Sequence, residues 1–364
     1  MTSATTRDVT ATRPLGDRTG RGRLTLAGAA LVLVAAAVLS LALGPTGISL
    51  DAVPRVVRAL LAGGTASPEI ARERLVLVDI RLTRTVLGIL VGASLGITGA
   101  MMQGLFRNPL ADPGLVGAST GAGLAAVAMI ALGGGALAPV VALLGTEAVP
   151  VAAVIGAFAT TLLLYAIATR QRQTSTATLL LAGVAIGAFA GALTGLIVFG
   201  ADDRQLRDIT FWTLGSLGGA AWPKLAAALP FFAVALAAAP LLARPLNALL
   251  LGEAEAVHLG IATEQAKRLA IAAAACAVGA SVALSGVIGF VGIVVPHVVR
   301  LAAGPDHRIV LPGSALAGAA LLLLADTIAR VVVAPAELPI GIVTAAIGAP
   351  FFLWLLLRQR SGIV

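Results

Sequence analysis

Apolar stretches follow one another along most of this chain. Nine uncharged runs reach or approach the roughly 20 apolar residues needed to cross about 30 Å of hydrocarbon. So many runs of this length exceed what the buried helices of a soluble domain need. The pattern therefore predicts an all-α polytopic membrane protein. The runs occupy residues 25–44, 85–106, 113–132, 148–169, 177–200, 225–243, 269–299, 309–325 and 340–357.

The run at residues 269–299 is ambiguous, because its 31 residues are many for one span and few for two. Gly286, Gly289, Gly292 and Pro296 interrupt it. A broken helix is tolerated at membrane depth where protein or a water-filled cavity surrounds it. Counting two spans here gives ten transmembrane helices in all, with both termini on the cytoplasmic side; a single long span is the alternative.

The beginning of the chain differs in character from the rest. Residues 1–23 are rich in Thr and Arg, and we predict a disordered cytoplasmic tail there. Residues 24–364 would form one transmembrane permease domain. The first apolar run is longer than the core of a usual signal peptide, so we interpret it as an uncleaved span.

Composition agrees with a membrane location, with 59% hydrophobic and 12% charged residues. The net charge of +8 fits arginines in loops beside anionic lipid, so no nucleic-acid partner is expected. Six arginines nevertheless fall between spans one and two, outside the membrane. They favour an acidic partner, or salt bridges to Glu69, Glu73 and Asp79. These arginines are Arg55, Arg58, Arg72, Arg74, Arg81 and Arg84.

Two parts of the chain resemble each other at an offset of 187 residues. Residues 91–99 match residues 278–286, and Pro109 matches Pro296. Spans two to five would then repeat as spans seven to ten. Because five spans separate the copies, the copies are inverted, which is a recurrent transporter design.

Several kinds of chemistry are missing from the sequence. The two lysines, Lys224 and Lys267, do not lie in a phosphate-binding P-loop motif, so energy from ATP would have to come from another subunit. Cys276 is the only cysteine and allows neither an internal disulfide nor a thiolate cluster. We expect no cofactor and no metal site. The histidines, which the ten-span topology places toward the cytoplasm, are His258, His297 and His307.

Two sets of glycines recur at every fourth position, which puts each set on one helix face. Such a face either lets another helix pack closely or provides a smooth wall beside a translocation path. The sets are Gly88, Gly92 and Gly96 on span two, and Gly183, Gly187, Gly191 and Gly195 on span five.

Charged residues mark two further candidates. Asp326 and Arg330, four positions apart near the outer end of span nine, are either functional or an intrahelical pair. Residues 251–261 are too short and too polar to span the membrane. We interpret them as a cytoplasmic surface helix that fits a partner's groove, with an ordinary connecting helix as the alternative.

Seven ordered motifs resemble the iron-chelate and vitamin B12 permease family of ATP-binding-cassette importers, and most closely its haem permeases. The resemblance covers roughly residues 24–360. The motifs are RLTR at 81–84, GLFRNPLADPG at 104–114, FWTLGSLGG at 211–219, LGEAEA at 251–256, GFVGIVVPH at 289–297, DHR at 306–308 and ELPIGI at 337–342.

The resemblance implies a homodimer of ten-span subunits in the bacterial cytoplasmic membrane, with two cytoplasmic ATPases and an extracytoplasmic substrate-binding protein. It places binding-protein docking, at the outer mouth of the pathway, on Arg81, Arg84 and Arg330. It places ATPase coupling on Gly252, Glu253, Glu255, His258 and Leu259. The path would run along the span-five glycines Gly183, Gly187, Gly191 and Gly195, with Phe211 and Trp212 in its outer gate.

The motifs favour haem as the substrate, with a ferric siderophore or cobalamin as alternatives. Two other classes of protein stay open. An ion-driven secondary transporter would need an intramembrane ionisable relay, for which Asp326 is the candidate. A membrane scaffold without transport activity is the second.

Overall fold

The computed structural model describes residues 18–44, 51–62 and 67–360. A π-helix at Leu75–Leu82 leads into the fourth helix, and a short hairpin joins Thr169–Arg170 to Gln173–Thr174. The α-helices are α1 (Arg18–Ala42), α2 (Ala52–Ala62), α3 (Pro68–Arg74), α4 (Thr83–Leu105), α5 (Ala118–Leu132), α6 (Ala138–Leu144), α7 (Ala148–Ala168), α8 (Thr176–Phe199), α9 (Asp203–Leu214), α10 (Trp222–Leu249), α11 (Glu253–His258), α12 (Thr263–Ser285), α13 (Val291–Ala303), α14 (His307–Val331) and α15 (Ile340–Arg360).

The predicted all-α polytopic architecture is confirmed. In the described part of the chain, seven helical segments are long and apolar enough to cross a membrane. They contain α1, α4, α7, α8, α10, α12 and α14. Three shorter apolar helices, α5, α13 and the apolar part of α15, bring the total to ten. Residues 1–17 of the expected tail lie outside the described residues, and residues 18–23 are already part of α1.

The ambiguous stretch at residues 269–299 forms two helices. Helix α12 ends at Ser285, and Gly286 follows with a φ of 69°. A Cβ at Gly286 would lie 2.1 Å from the carbonyl oxygen of Trp212, so a side chain there would clash. Phe290 also has a positive φ, and α13 begins directly after it. The break therefore depends on left-handed backbone and a close approach of α9.

Helix packing agrees with the predicted repeat of spans two to five as spans seven to ten. Helix α4 packs on α14, as its counterpart α12 packs on α7. Helix α5 contacts α7, as α13 contacts α14. Contacts between the two copies of the repeat also correspond, because α4 of the first copy touches α13 and its counterpart α12 touches α5.

The glycines of α4 are packing residues. A Cβ at Gly92 would lie 2.4 Å from the carbonyl oxygen of Gly318, and one at Gly96 would lie 2.1 Å from that of Ser314. Both contacts are with the backbone of α14. Small residues thus let α4 and α14 approach closely, as is typical of helices in lipid.

A hydrogen-bond network joins the end of α10 to the start of α14. Asn247 donates to Asp306 at 2.6 Å and accepts from the backbone N–H of His307 at 2.8 Å. Burial alone would raise the pKa of Asp306. The hydrogen bonds from the Arg308 backbone N–H and from Asn247 outweigh it and hold this pKa below its ordinary value. Asp306 therefore serves as an ionised cap of α14.

Candidate functional site

The three arginines proposed for docking are buried, which corrects the expectation that they face outward. Arg81, Arg84 and Arg330 are 3%, 7% and 4% exposed. They come together at one end of the bundle, from the π-helix before α4, the start of α4 and the end of α14. Local carbonyls and carboxylates hold them inside the chain.

The end of α1 is one cause of this burial. The last carbonyls of a helix lack intrahelical donors and carry partial negative charge. Arg81 donates to the carbonyl of Leu41 at 2.7 Å and to that of Ala42 at 3.1 Å. Arg330 donates to the carbonyl of Leu43 at 3.1 Å. Two buried guanidinium groups therefore cap α1.

Arg84 binds two carboxylates at once. Its Nη2 lies 2.8 Å from Oδ1 of Asp326, and its Nη1 lies 2.9 Å from both oxygens of Glu337. Asp326 is fully buried and also pairs with Nε of Arg330 at 3.0 Å. Asp326 is thus held between two arginines, which argues against a free proton relay there. The Glu337 side chain is 38% exposed and covers the outer side of Arg84.

This ion cluster adjoins the segment expected to form the outer gate. A Cβ at Gly218 would lie 3.6 Å from Glu337. The backbone N–H of Ile340, just after the Glu337 loop, donates to the carbonyl of Gly215 at 3.0 Å. Phe211 is 56% exposed, whereas Trp212 packs against the hydrophobic core.

The glycine stripe of α8 differs from that of α4. Gly183 packs against the chain, since a Cβ there would lie 2.5 Å from the carbonyl oxygen of Leu115. Cβ atoms at Gly187, Gly191 and Gly195 would have no neighbour within 4 Å. Static packing within this chain therefore explains only the first of the four glycines.

Helix α11 is a short exposed helix between α10 and α12. Gly252 precedes it with a φ of 129°, a conformation that suits glycine. Ala256 is buried and anchors the helix, while Leu259 is 57% exposed. The other outward-facing side chains of the proposed coupling segment are those of Glu253, Glu255 and His258.

Lys267 joins α11 to two other elements, a role that sequence reasoning missed. Its Nζ lies 2.5 Å from Glu253 and 2.8 Å from Glu264, and it donates to the carbonyl of Thr174 at 2.8 Å. Glu264 accepts from the backbone N–H of Thr174 at 3.0 Å. This joint connects α11, α12 and the hairpin that leads into α8. A lysine three residues after a glutamate, at the start of an apolar helix, was the available signal.

The described residues contain no group of three His, Cys, Asp or Glu side chains able to hold a metal ion. His297 is buried beside Phe351, with ring centroids 6.2 Å apart. His307 is fully buried and contacts Asn247 through Nδ1. Both histidines are packed between helices.

Comparisons with known proteins agree with this fold and site. The model of the FecCD transport family matches residues 25–358. The hemin transport system permease protein HmuU of Yersinia pestis is 47% identical over 284 residues, which cover 78% of this chain and 84% of that protein. The cobalamin import permease BtuC of Halobacterium salinarum is 46% identical over 81% of this chain and 76% of that protein. The vitamin B12 import permease BtuC of Escherichia coli is 45% identical over 79% of this chain and 86% of that protein.

A solved ABC transporter of the metal-chelate type, in an inward-facing conformation, has the same fold. Its TM-score is 0.76 at 31% identity, and the match covers 92% of this chain and 99% of that one. The chain belongs to the FecCD transport family. It is a multi-pass permease of the bacterial cytoplasmic membrane and serves an ATP-binding-cassette importer.

Asp326 provides a test of the ion cluster. The Asp326→Asn variant leaves Arg84 and Arg330 buried with one fewer carboxylate, which typically costs about 3–5 kcal/mol. We expect a clear fall in the melting temperature of the purified protein. Glu147→Gln, which removes a half-exposed partner of Lys224, should change it little. Equal melting temperatures for Asp326→Asn and the parent protein would contradict a stabilising role.

Proposed function

We propose that this chain moves haem across the cytoplasmic membrane as a homodimer, with two ATPase subunits inside and a substrate-binding protein outside. The 47% identity to a hemin permease over most of both chains is the observation that carries the substrate assignment. Cobalamin is the second candidate, because the two cobalamin permeases follow at 46% and 45%.

The open glycine stripe of α8 supports a dimer with the path between its subunits. Gly187, Gly191 and Gly195 present bare backbone with no neighbour from their own chain. A second copy of α8 across a two-fold axis would leave a smooth wall that offers few groups to hold a large planar substrate. The exposed Phe211 lies on α9, the next helix along the chain.

Docking of the binding protein is proposed at the ion cluster, by exchange of partners on Arg84. Glu337 is half-exposed and lies on a loop, whereas Asp326 is fixed in α14. A carboxylate of the binding protein can replace Glu337 without leaving Arg84 unpaired, because Asp326 stays in place. The exchange would shift the Glu337 loop, which is hydrogen-bonded to Gly215 in the gate segment.

Coupling to ATP hydrolysis is proposed through α11 and Lys267. An ATPase that moves α11 pulls on Glu253, which Lys267 links to Thr174 beside the start of α8. Motion at the cytoplasmic surface would thus reach the helix that carries the open glycine stripe.

Uptake by reconstituted transporters tests the function. Proteoliposomes that contain this chain, its ATPase and its binding protein should accumulate hemin with ATP, in preference to a ferric siderophore or cobalamin. Preference for cobalamin would overturn the substrate assignment and leave the importer intact. Uptake driven by an ion gradient without ATP would overturn the importer.

Replacement of Glu337 by Gln tests docking. The expected change is a gain in affinity for the binding protein, which a purely structural role of Glu337 would not give. If Glu337 competes with the binding protein for Arg84, Glu337→Gln should tighten docking by roughly two- to fivefold, the range for a partly exposed ion pair. Binding to the permease in nanodiscs at low and high salt measures this. Glu147→Gln is the matched control. Unchanged or weaker docking by Glu337→Gln would contradict the exchange.

Lys267→Gln tests coupling. The variant keeps a hydrogen-bonding group and removes the charge that joins α11 to the hairpin. We expect ATP hydrolysis by the assembled complex to persist while substrate moved per ATP falls by roughly 2- to 30-fold. Lys224→Gln, which changes the other lysine, should move as much substrate per ATP as the parent protein does. If Lys267→Gln also moves as much substrate per ATP as the parent protein, coupling does not pass through this joint.

A further inference from the structure

An apolar cleft of about 640 Å³ opens between α4, α10 and α14 on the side of the helix bundle. Ile97 forms part of its floor, and Leu236 and Leu316 form its walls. Prolines stand on both sides, Pro240 in α10 and Pro312 in α14. A proline inside a helix cannot donate the intrahelical hydrogen bond, so each helix lacks one backbone hydrogen bond at the cleft.

Two arginines stand at the cytoplasmic end of this cleft. Arg244 and Arg308 both line it, and both side chains are exposed. Neither forms a salt bridge with a carboxylate in the described part of the chain, and Arg308 attracts the nearby Asp306 without a direct side-chain contact. This differs from the outer end of the protein, where Arg84 and Arg330 are neutralised by acidic groups.

The basic end of the cleft is held in place by the network described above. Asn247 of α10 binds both Asp306 and His307, which flank the start of α14. Arg244 lies one helical turn before Asn247, and Arg308 directly follows His307. The spacing between the two arginines is therefore set by fixed elements.

We propose that this cleft binds an anionic phospholipid of the cytoplasmic leaflet, with an acyl chain along Ile97, Leu236 and Leu316 and the headgroup phosphate between Arg244 and Arg308. The apolar lining suits hydrocarbon, and the unpaired arginines suit a negative headgroup at the membrane surface. The position of the two arginines also agrees with a headgroup of the cytoplasmic leaflet. They lie at the same end of the bundle as α11, which is cytoplasmic in the orientation proposed above.

Charge complementarity selects a lipid over other occupants. A partner helix would have to enter sideways through the membrane, since the cleft runs along the length of α10 and α14 from Leu236 to Arg308. In residues 1–17 of this chain, Arg7 and Arg13 are balanced by Asp8 and Asp17, so their side chains supply no net negative charge for the basic end. An acidic headgroup with an attached hydrocarbon chain satisfies both ends of the cleft together.

Lipid titration of the purified full-length protein, followed by native mass spectrometry, tests the site. Dioleoyl phosphatidylglycerol should bind more tightly than dioleoyl phosphatidylcholine, which has the same acyl chains. The double variant Arg244→Gln with Arg308→Gln should weaken phosphatidylglycerol binding by about 25-fold, at about fivefold for each surface arginine. The matched control is Arg172→Gln with Arg268→Gln, two exposed cytoplasmic-side arginines outside the cleft, and it should bind as the parent does.

A second variant tests the apolar part independently. Ala315→Phe places a ring in the cleft and leaves both arginines in place. It should reduce phosphatidylglycerol binding by at least tenfold while the melting temperature in detergent stays close to that of the parent. The proposal is overturned if Ala315→Phe binds normally, if the control pair loses as much affinity as the cleft pair, or if the two lipids bind equally.

Discussion

The bidentate pairing of Arg84 with Asp326 and Glu337 is the interaction on which the outer end of this permease depends. Charges near the hydrocarbon boundary are costly to bury, and here each buried charged group contacts more than one partner. Asp326 serves two arginines, Arg84 serves two carboxylates, and Arg330 also caps α1. The same few groups therefore hold α1, α4 and α14 together and set the position of the Glu337 loop. Any partner that engages Arg84 and Arg330 has to act on two arginines whose charges Asp326 and Glu337 already balance.

Close backbone packing explains how so much of the bundle holds together without polar contacts. Gly92 and Gly96 bring α4 against α14, and the left-handed Gly286 lets α12 turn beneath α9. The stripe on α8 has the same spacing, but Gly187, Gly191 and Gly195 have no neighbour from their own chain. The same glycine spacing therefore has different surroundings in the two helices, because neighbouring helices pack against it in α4 but not along most of α8.

Much of this architecture could be predicted from the sequence, because membrane thickness imposes run lengths that are easy to recognise. The all-α membrane architecture and a short non-spanning segment at α11 followed from hydropathy, whereas glycine placement left open whether residues 269–299 form one span or two. The burial of Arg81, Arg84 and Arg330 did not follow from either, since arginines in a loop beside a membrane look the same whether they meet water or helix ends. Lys267 was missed for a related reason: Thr174, which its Nζ reaches, is 93 positions away. Long-range contacts of this kind depend on tertiary packing, which local patterns do not encode.

The loop position of Glu337 has a consequence for turnover. A delivery protein that has emptied its cargo must leave quickly, or the entrance stays blocked for the next loaded copy. Because Glu337 belongs to the permease itself, it is always present at high local concentration beside Arg84. In the docking exchange proposed above, Glu337 would displace the departing carboxylate, so that Arg84 would keep a carboxylate partner throughout and no external anion would be needed.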